Sequence, residues 1–142
     1  MTEDAFVESL LALGGWLTRS GSRLMAPLGL SQQESVILIA VVEQGPIPQR
    51  DLRSDLMLER SNVSKAVLHL ESKGLLTTGP SPADARVTLA RATPEGRALA
   101  GRCLQTYRRW NRDWLEGSDP QLLAVAASLL QDLRRRSPGA TP

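Results

Sequence analysis

Residues 48–97 read PQRDLRSDLMLERSNVSKAVLHLESKGLLTTGPSPADARVTLARATPEGR. This stretch predicts two short helices, over about 49–56 and 60–73, separated by a tight turn. Val63, Val67 and Leu70 recur at three- and four-residue steps, so they face inward and fix the roll of the second helix. Gly74 is placed to end that helix as a left-handed C′ residue. Two short strands follow, over about 75–78 and 86–91. They are joined by a polar, proline-broken tip that carries Asp84-Ala85-Arg86. The second strand alternates Val87 and Leu89 against Thr88 and Ala90, the pattern of a half-buried strand. Thr93-Pro94-Glu95 then opens a new helix with an N-cap, a proline at N1 and an acid in the first turn.

Helix, tight turn, helix and two-stranded tip together form the layout of a winged helix-turn-helix. That fold lays its second helix in the DNA major groove and sets the β-tip against the neighbouring backbone or minor groove. The roll of the second helix leaves Arg60, Ser61, Asn62, Ser64, Lys65 and His69 as outward candidates for DNA contact. The Asn62 amide suits an adenine edge, and Arg60 or Lys65 suits guanine O6 and N7, each good bidentate pair contributing about 1–3 kcal/mol. Ser61 and Ser64 suit phosphate contact, or plain helix capping. Arg50 and Arg53 on the first helix are secondary phosphate candidates, or surface charges solvated beside Asp51 and Asp55. His69 has Glu71 nearby, but a residue two positions along a helix points elsewhere. Over residues 59–73, Arg60, Lys65 and Lys73 face Glu59 and Glu71, so the local field is modest.

Outside this segment the chain is helical. A first helix, over about 2–25, carries Phe6, Leu10, Leu13, Leu17, Leu24 and Leu28 as one apolar stripe. Gly14-Gly15 and Gly21 weaken it as a free helix and permit close approach of another. Ser31-Gln32-Gln33-Glu34 fits a capping box. The run Val36–Val42 behind it is apolar almost all round, which predicts the most buried helix. The fifth helix, reaching about 116, aligns Leu99, Cys103, Tyr107, Trp110 and Trp114. A sixth starts at Asp119-Pro120, is expected to turn Leu122, Ala126, Leu129 and Leu133 inward, and closes on Arg134-Arg135-Arg136. The stripes on helices one, five and six exceed what so small a winged domain buries alone. They predict a two-fold dimer with interlocked terminal helices.

The 142 residues suit one domain, with 42% hydrophobic and 23% charged residues. Seventeen Lys and Arg against fifteen Asp and Glu leave a formal charge of +2, so attraction to nucleic acid depends on where charges sit. The single cysteine, Cys103, excludes an intrachain disulfide. No apolar run is long enough to span a bilayer, and the acidic start Met-Thr-Glu-Asp is unlike a signal peptide, so a cytoplasmic, non-membrane protein is expected. One histidine, one cysteine and no zinc spacing, phosphate loop or nucleophile elbow argue against an enzyme, with no catalytic residues, metal or cofactor expected.

The order of elements, with LGLSQQES, the helix over 56–74, Asp84-Ala85-Arg86 and Thr93-Pro94-Glu95-Gly96-Arg97, resembles the MarR (multiple antibiotic resistance regulator) family. The resemblance covers nearly the whole chain. It implies a mainly α (α+β) fold: a winged helix-turn-helix with long N- and C-terminal dimerisation helices. The order is four helices, a strand, the wing, a strand and two helices. On that pattern 1–136 form one domain, with dimerisation helices in 1–28 and 94–136, a DNA-binding winged helix in 31–92, and a flexible tail at 137–142.

The implied function is a bacterial homodimeric transcription factor, usually a repressor, on a pseudo-palindromic double-stranded DNA operator, released by a small, often aromatic ligand or by cysteine oxidation. Arg86 matches the family's wing arginine and Asp84 the aspartate that orients it. A plain salt bridge holding the tip is the simpler role for the pair. The family's ligand site lies where dimer helices meet the winged domain. Trp16, Arg19, Tyr107, Arg108 and Trp110 are the residues here that suit an aromatic or anionic effector, unless they are ordinary core. Oxidant-sensing members carry the reactive cysteine near the N-terminus, which this chain lacks. It also departs from the pattern at Leu75–Pro80, where arginines are usual, at Met57, where glycine is, and at Glu59, where a small N-cap is. Those departures motivate a second reading, a winged-helix protein-interaction module with weak or lost DNA binding.

Overall fold

The computed structural model describes residues 2–137. Helix α1 (Glu3–Met25) passes through a 3-10 turn (Ala26–Leu28) into α2 (Gln32–Gln44). Then come β1 (Ile47–Pro48), α3 (Gln49–Asp55), α4 (Arg60–Ser72), β2 (Leu76–Pro80), β3 (Thr88–Ala92), α5 (Pro94–Trp114) and α6 (Pro120–Arg136). This is the mainly helical winged helix-turn-helix expected from the sequence. Of the tail at 137–142, all but Ser137 lies outside the described residues.

Helix α2 forms where Ser31 and Glu34 close a capping box. The Ser31 hydroxyl accepts from the Glu34 amide at 3.1 Å, and the Ser31 amide donates to Glu34 Oε1 at 2.8 Å. Ile37, Leu38 and Val41 are sealed from solvent, with α1, α4, α5 and β3 around them. Met25, Leu52, Val63, Val67, Leu70, Leu76, Ala100 and Cys103 complete one core. Burying each large aliphatic side chain contributes about 1.5–3 kcal/mol, so this shared surface is what holds the winged head together. Of the α1 glycines, Gly21 is the one that permits close approach. A Cβ there would lie 2.5 Å from the Gln32 side chain, whereas one at Gly14 would meet nothing within 4 Å.

The sheet has three antiparallel strands in the order β1-β3-β2. Strand β1 is absent from the sequence-based expectation. It is two residues long and holds a proline, which removes a ladder donor and restricts it to an edge. Its presence makes β3 central and corrects the expected alternation: Ala90 is fully buried, while Val87 and Leu89 are only partly covered. The strands also begin and end later than periodicity predicts. The tip is closed by Ser81 N donating to Val87 O at 2.8 Å and Val87 N donating to Asp84 O at 3.0 Å, so pairing with β2 starts only beyond Val87.

Helix α6 differs from expectation in what it buries, and α1 leaves its stripe uncovered as expected. No residue of α6 is buried, and α1 buries only Gly21 and Met25. Leu122 is 68% exposed and Leu129 45%, so the α6 stripe does not face inward within one protomer. The amphipathic pattern is present, but among the described residues nothing buries it. The last turn of α6 does reach the head, where Arg134 Nη2 donates to the Asp55 carbonyl at 2.6 Å.

The turn between α3 and α4 is a Schellman closure. Leu58 N donates to Arg53 O at 2.9 Å and Met57 N to Ser54 O at 3.2 Å. Its left-handed residue is Met57, with φ 54°. A side chain there costs about 1–2 kcal/mol, partly offset by the entropy a glycine loses on folding. The expected outcome for Met57→Gly is stabilisation by about 0.5–1 kcal/mol, read as a higher urea midpoint with an unchanged slope.

Candidate nucleic-acid interface

Helix α4 buries Val63, Ala66, Val67 and Leu70. At 100° per residue, Ser61, Lys65 and Leu68 therefore stand directly opposite the core, Arg60 and Ser64 turn towards α3, and Asn62 and His69 occupy the other flank. Leu68 is the residue that sequence reasoning passed over. It is 66% exposed in the middle of the outward face. Ser64 accepts from Gln49 Nε2 at 3.3 Å, which fixes the angle between α3 and α4. Helix α4 begins at Glu59 without a side-chain cap, so the first-turn amides keep their donor capacity for an anion such as phosphate.

Beside that helix start lies a concave surface of about 360 Å³ lined by Arg50, Arg53, Arg60 and Arg86, with Gln49 and Ser64 among its other walls. Four arginines from α3, α4 and the wing thus face one groove although the whole chain has a charge of only +2. Arg86 is 90% exposed and fork-shaped against its aspartate: Nε donates to Asp84 Oδ1 and Nη2 to Oδ2, both at 3.1 Å. The Arg86 amide also donates to Asp84 Oδ1 at 3.0 Å. Those bonds, the side-chain one first, hold the Asp84 carboxyl below its usual range and aim the guanidinium outward. Arg50 has only a loose contact with Asp51, at 3.8 Å.

A MarR family model matches residues 28–87, the span from the α1–α2 corner to the wing tip. Over 127 residues the chain is 32% identical to YdgJ of Bacillus subtilis (strain 168), an uncharacterized HTH-type transcriptional regulator, covering 89% of this chain and 77% of that one. The chain belongs to the MarR family. It is accordingly a transcriptional regulator and not an enzyme. Its fold matches that of CouR from Rhodococcus jostii RHA1, solved with p-coumaroyl-CoA, at a TM-score of 0.83 and 24% identity over 95% of this chain and 94% of that one. It also matches a MarR family regulator from Listeria monocytogenes solved with 26mer DNA, at a TM-score of 0.83 and 19% identity over 91% and 86%. Among the described residues of this MarR-family chain, no single helix is long and apolar enough to cross a membrane.

The effector candidates fall into two groups. Trp16 and Trp110 meet at 5.5 Å between ring centroids, and Trp114 joins them at 5.2 Å from each, so all three tryptophans form one cluster between α1 and α5. Arg19 folds back over Gly15, and Arg108 is exposed. Tyr107 turns the other way, its hydroxyl 2.6 Å from Ser35 Oγ on α2. Burial pushes the Tyr107 hydroxyl up, against the Ser35 bond. Cys103 is fully enclosed, and burial pushes its thiol up as well, which suppresses the reactive thiolate.

His69 has an acid partner that the sequence did not reveal. Its Nδ1 pairs with Glu34 Oε2, thirty-five residues earlier, on a carboxylate whose side chain is 11% exposed. Burial pushes the Glu34 carboxyl up, but the bonds from the Ser31 amide and from His69 outweigh it, and the net shift is downward. A depressed carboxyl contributes stability that is present above its ordinary value of 4.5 and lost as pH falls through the lower folded value. Glu34→Gln is therefore expected to lose about 1–2 kcal/mol at neutral pH. The gap from wild type should close below pH 4.5, as urea unfolding at stepped pH would measure.

Proposed function

We propose that this chain is a homodimeric repressor that binds a pseudo-palindromic DNA operator and is released by a small-molecule effector. The observation that carries the reading is the groove where Arg50, Arg53, Arg60 and Arg86 converge beside the uncapped start of α4. Arg86 pairs with Asp84 and Arg50 loosely with Asp51, yet all four cations, from three elements, still face one surface. In this reading α4 enters the major groove. Arg60, Asn62 and Lys65 address base edges, Leu68 lies against a thymine methyl, and Ser61 and Ser64 approach phosphate. Arg50 and Arg53 hold the adjoining backbone. Arg86, aimed by Asp84, enters the minor groove beside it, where narrow A·T segments attract arginine.

The dimer follows from the uncovered helices. Val7, Leu11 and Leu13 of α1, Trp114 of α5, and Leu122, Val125 and Leu129 of α6 are all more than 40% exposed. A seventeen-residue helix with no buried side chain is marginal in water. A second copy, laying α6 across the α1–α5 face, supplies the missing cover and spaces two heads for two half-sites. On this reading 1–28 and 94–136 are the dimerisation helices and 31–92 the DNA-binding unit. The effector would be aromatic or anionic. Trp16 and Trp110 offer the aromatic wall, Arg19 and Arg108 the positive charge, and Tyr107 the link to α2. CouR was solved with an acyl-CoA and the Listeria protein with DNA, and both support a ligand-released DNA binder. Such a regulator acts in the cytoplasm.

Two measurements test this. A gel shift on DNA flanking the protein's own gene should give a saturable complex at low salt. Arg86→Ala should weaken it about tenfold or more, and each phosphate contact contributes about 0.9 to the log–log salt slope. A well-folded dimer that shifts no DNA would instead favour a protein-interaction module. Light scattering should report a dimer at micromolar concentration, and a monomer would refute the interlocked scaffold.

A further inference from the structure

The recognition helix is held from behind at two points. His69 and Lys73 are four residues apart, so they stand one above the other on the same flank of α4. His69 Nδ1 pairs with Glu34 Oε2, and Lys73 Nζ donates to the Gly29 carbonyl. Both acceptors belong to residues 29–35, the corner after α1 together with the first turn of α2. The corner is itself fastened to the two long helices. The Gln32 amide donates to Ser22 Oγ of α1 at 3.1 Å, and Ser35 Oγ lies 2.6 Å from the Tyr107 hydroxyl of α5. Glu34 spends its second oxygen on the Ser31 amide at 2.8 Å, so the carboxylate that holds α4 is also the one that caps α2.

We propose that His69 and Lys73 are positioning residues: they tie α4 to the α1–α2 corner, set the angle at which it enters the groove, and touch no DNA. The proposal rests on the operator-binding reading and removes His69 from the groove contacts. Three features support it. Both side chains leave α4 on the flank that faces the corner, away from Arg60 and Ser64. Their acceptors are a backbone carbonyl and a nearly buried carboxylate, neither of which could move to follow DNA. The bonds also connect α4 to α1 and α5 through side chains, which gives a displacement of the scaffold a direct route to the reading head.

The consequence is specific. A scaffold shift of an ångström at the corner moves two anchors on α4 together and so rotates the helix, because the anchors are one turn apart and the core contacts of Val63 and Val67 act as the pivot. An effector that moves α5 at Tyr107 would then change operator affinity without approaching the DNA.

The test is operator affinity of the full-length dimer by fluorescence anisotropy across a salt series. His69→Ala and Lys73→Met should each bind about tenfold more weakly, with the salt slope unchanged because no phosphate contact is lost. His69→Asn places an amide nitrogen where Nδ1 sits and should restore affinity to within about twofold of wild type. Adding Glu34→Gln to His69→Ala should cost nothing further, since the bond is already gone. Far-UV circular dichroism and light scattering check folding of each variant, and Lys73→Met, at an exposed position, carries the test where His69→Ala fails to fold. A salt slope reduced by about 0.9 or more per contact would make the residue a direct phosphate ligand and overturn the proposal. Unchanged affinity in both single variants, or no rescue by asparagine, would overturn it as well. A wild-type dimer that binds no operator would sink the operator reading and this one together, whereas normal wild-type binding with indifferent variants would sink this one alone.

Discussion

Helix α2 is apolar on nearly its whole circumference, and a helix of that kind must be enclosed on all sides. Ile37, Leu38 and Val41 are sealed from solvent and Val36, Ile39 and Val42 partly covered, because α1, α4, α5 and β3 are each drawn against α2. The rest of the winged head follows from that requirement. Helix α4 pays its share with Val63, Ala66, Val67 and Leu70, and by doing so commits Ser61, Lys65 and Leu68 to the opposite side. Strand β3 contributes Ala90, which needs β1 on one edge and β2 on the other to satisfy its backbone. The outward face of α4 is thus the complement of the face that covers α2.

Electrostatics then act by placement. A charge of +2 spread over a protein of this size gives almost no directed field. The fold instead gathers four arginines from α3, α4 and the wing along one groove and leaves the start of α4 without a side-chain cap. Asp84 does not cancel Arg86 so much as hold it extended, since the carboxylate engages two guanidinium nitrogens and the backbone amide at once. Glu59, at the N-cap position of α4, sets an acid next to Arg60 in the chain.

The long helices obey a different rule. Their apolar stripes are as regular as those of the head, yet α6 buries nothing and α1 almost nothing. The three tryptophans gather where these helices meet, with indoles in mutual contact and two of them more than a third exposed. Large aromatic side chains left in that state are typical of the centre of an interface between chains. The same pattern that builds a core in the head leaves an uncovered apolar surface in the scaffold.

Features that act over three or four residues were legible from the chain alone: the Ser31–Glu34 box, the Thr93-Pro94 start, the Gly74 stop and the inward positions of α4. Arg60 and Arg86, which the fold brings to one groove, also lie in or beside those short signals. Other features needed the chain to close on itself. Glu34 meets His69 across 35 residues, Lys73 meets Gly29 across 44, and Tyr107 meets Ser35 across 72. Strand β1 and the burial of Ala90 likewise depend on which neighbour arrives. Periodicity tells a side chain which face of its own helix it occupies, because helical geometry is local. It carries no information on what that face will touch, because that depends on loop closure and on competition among many apolar surfaces for the same cover.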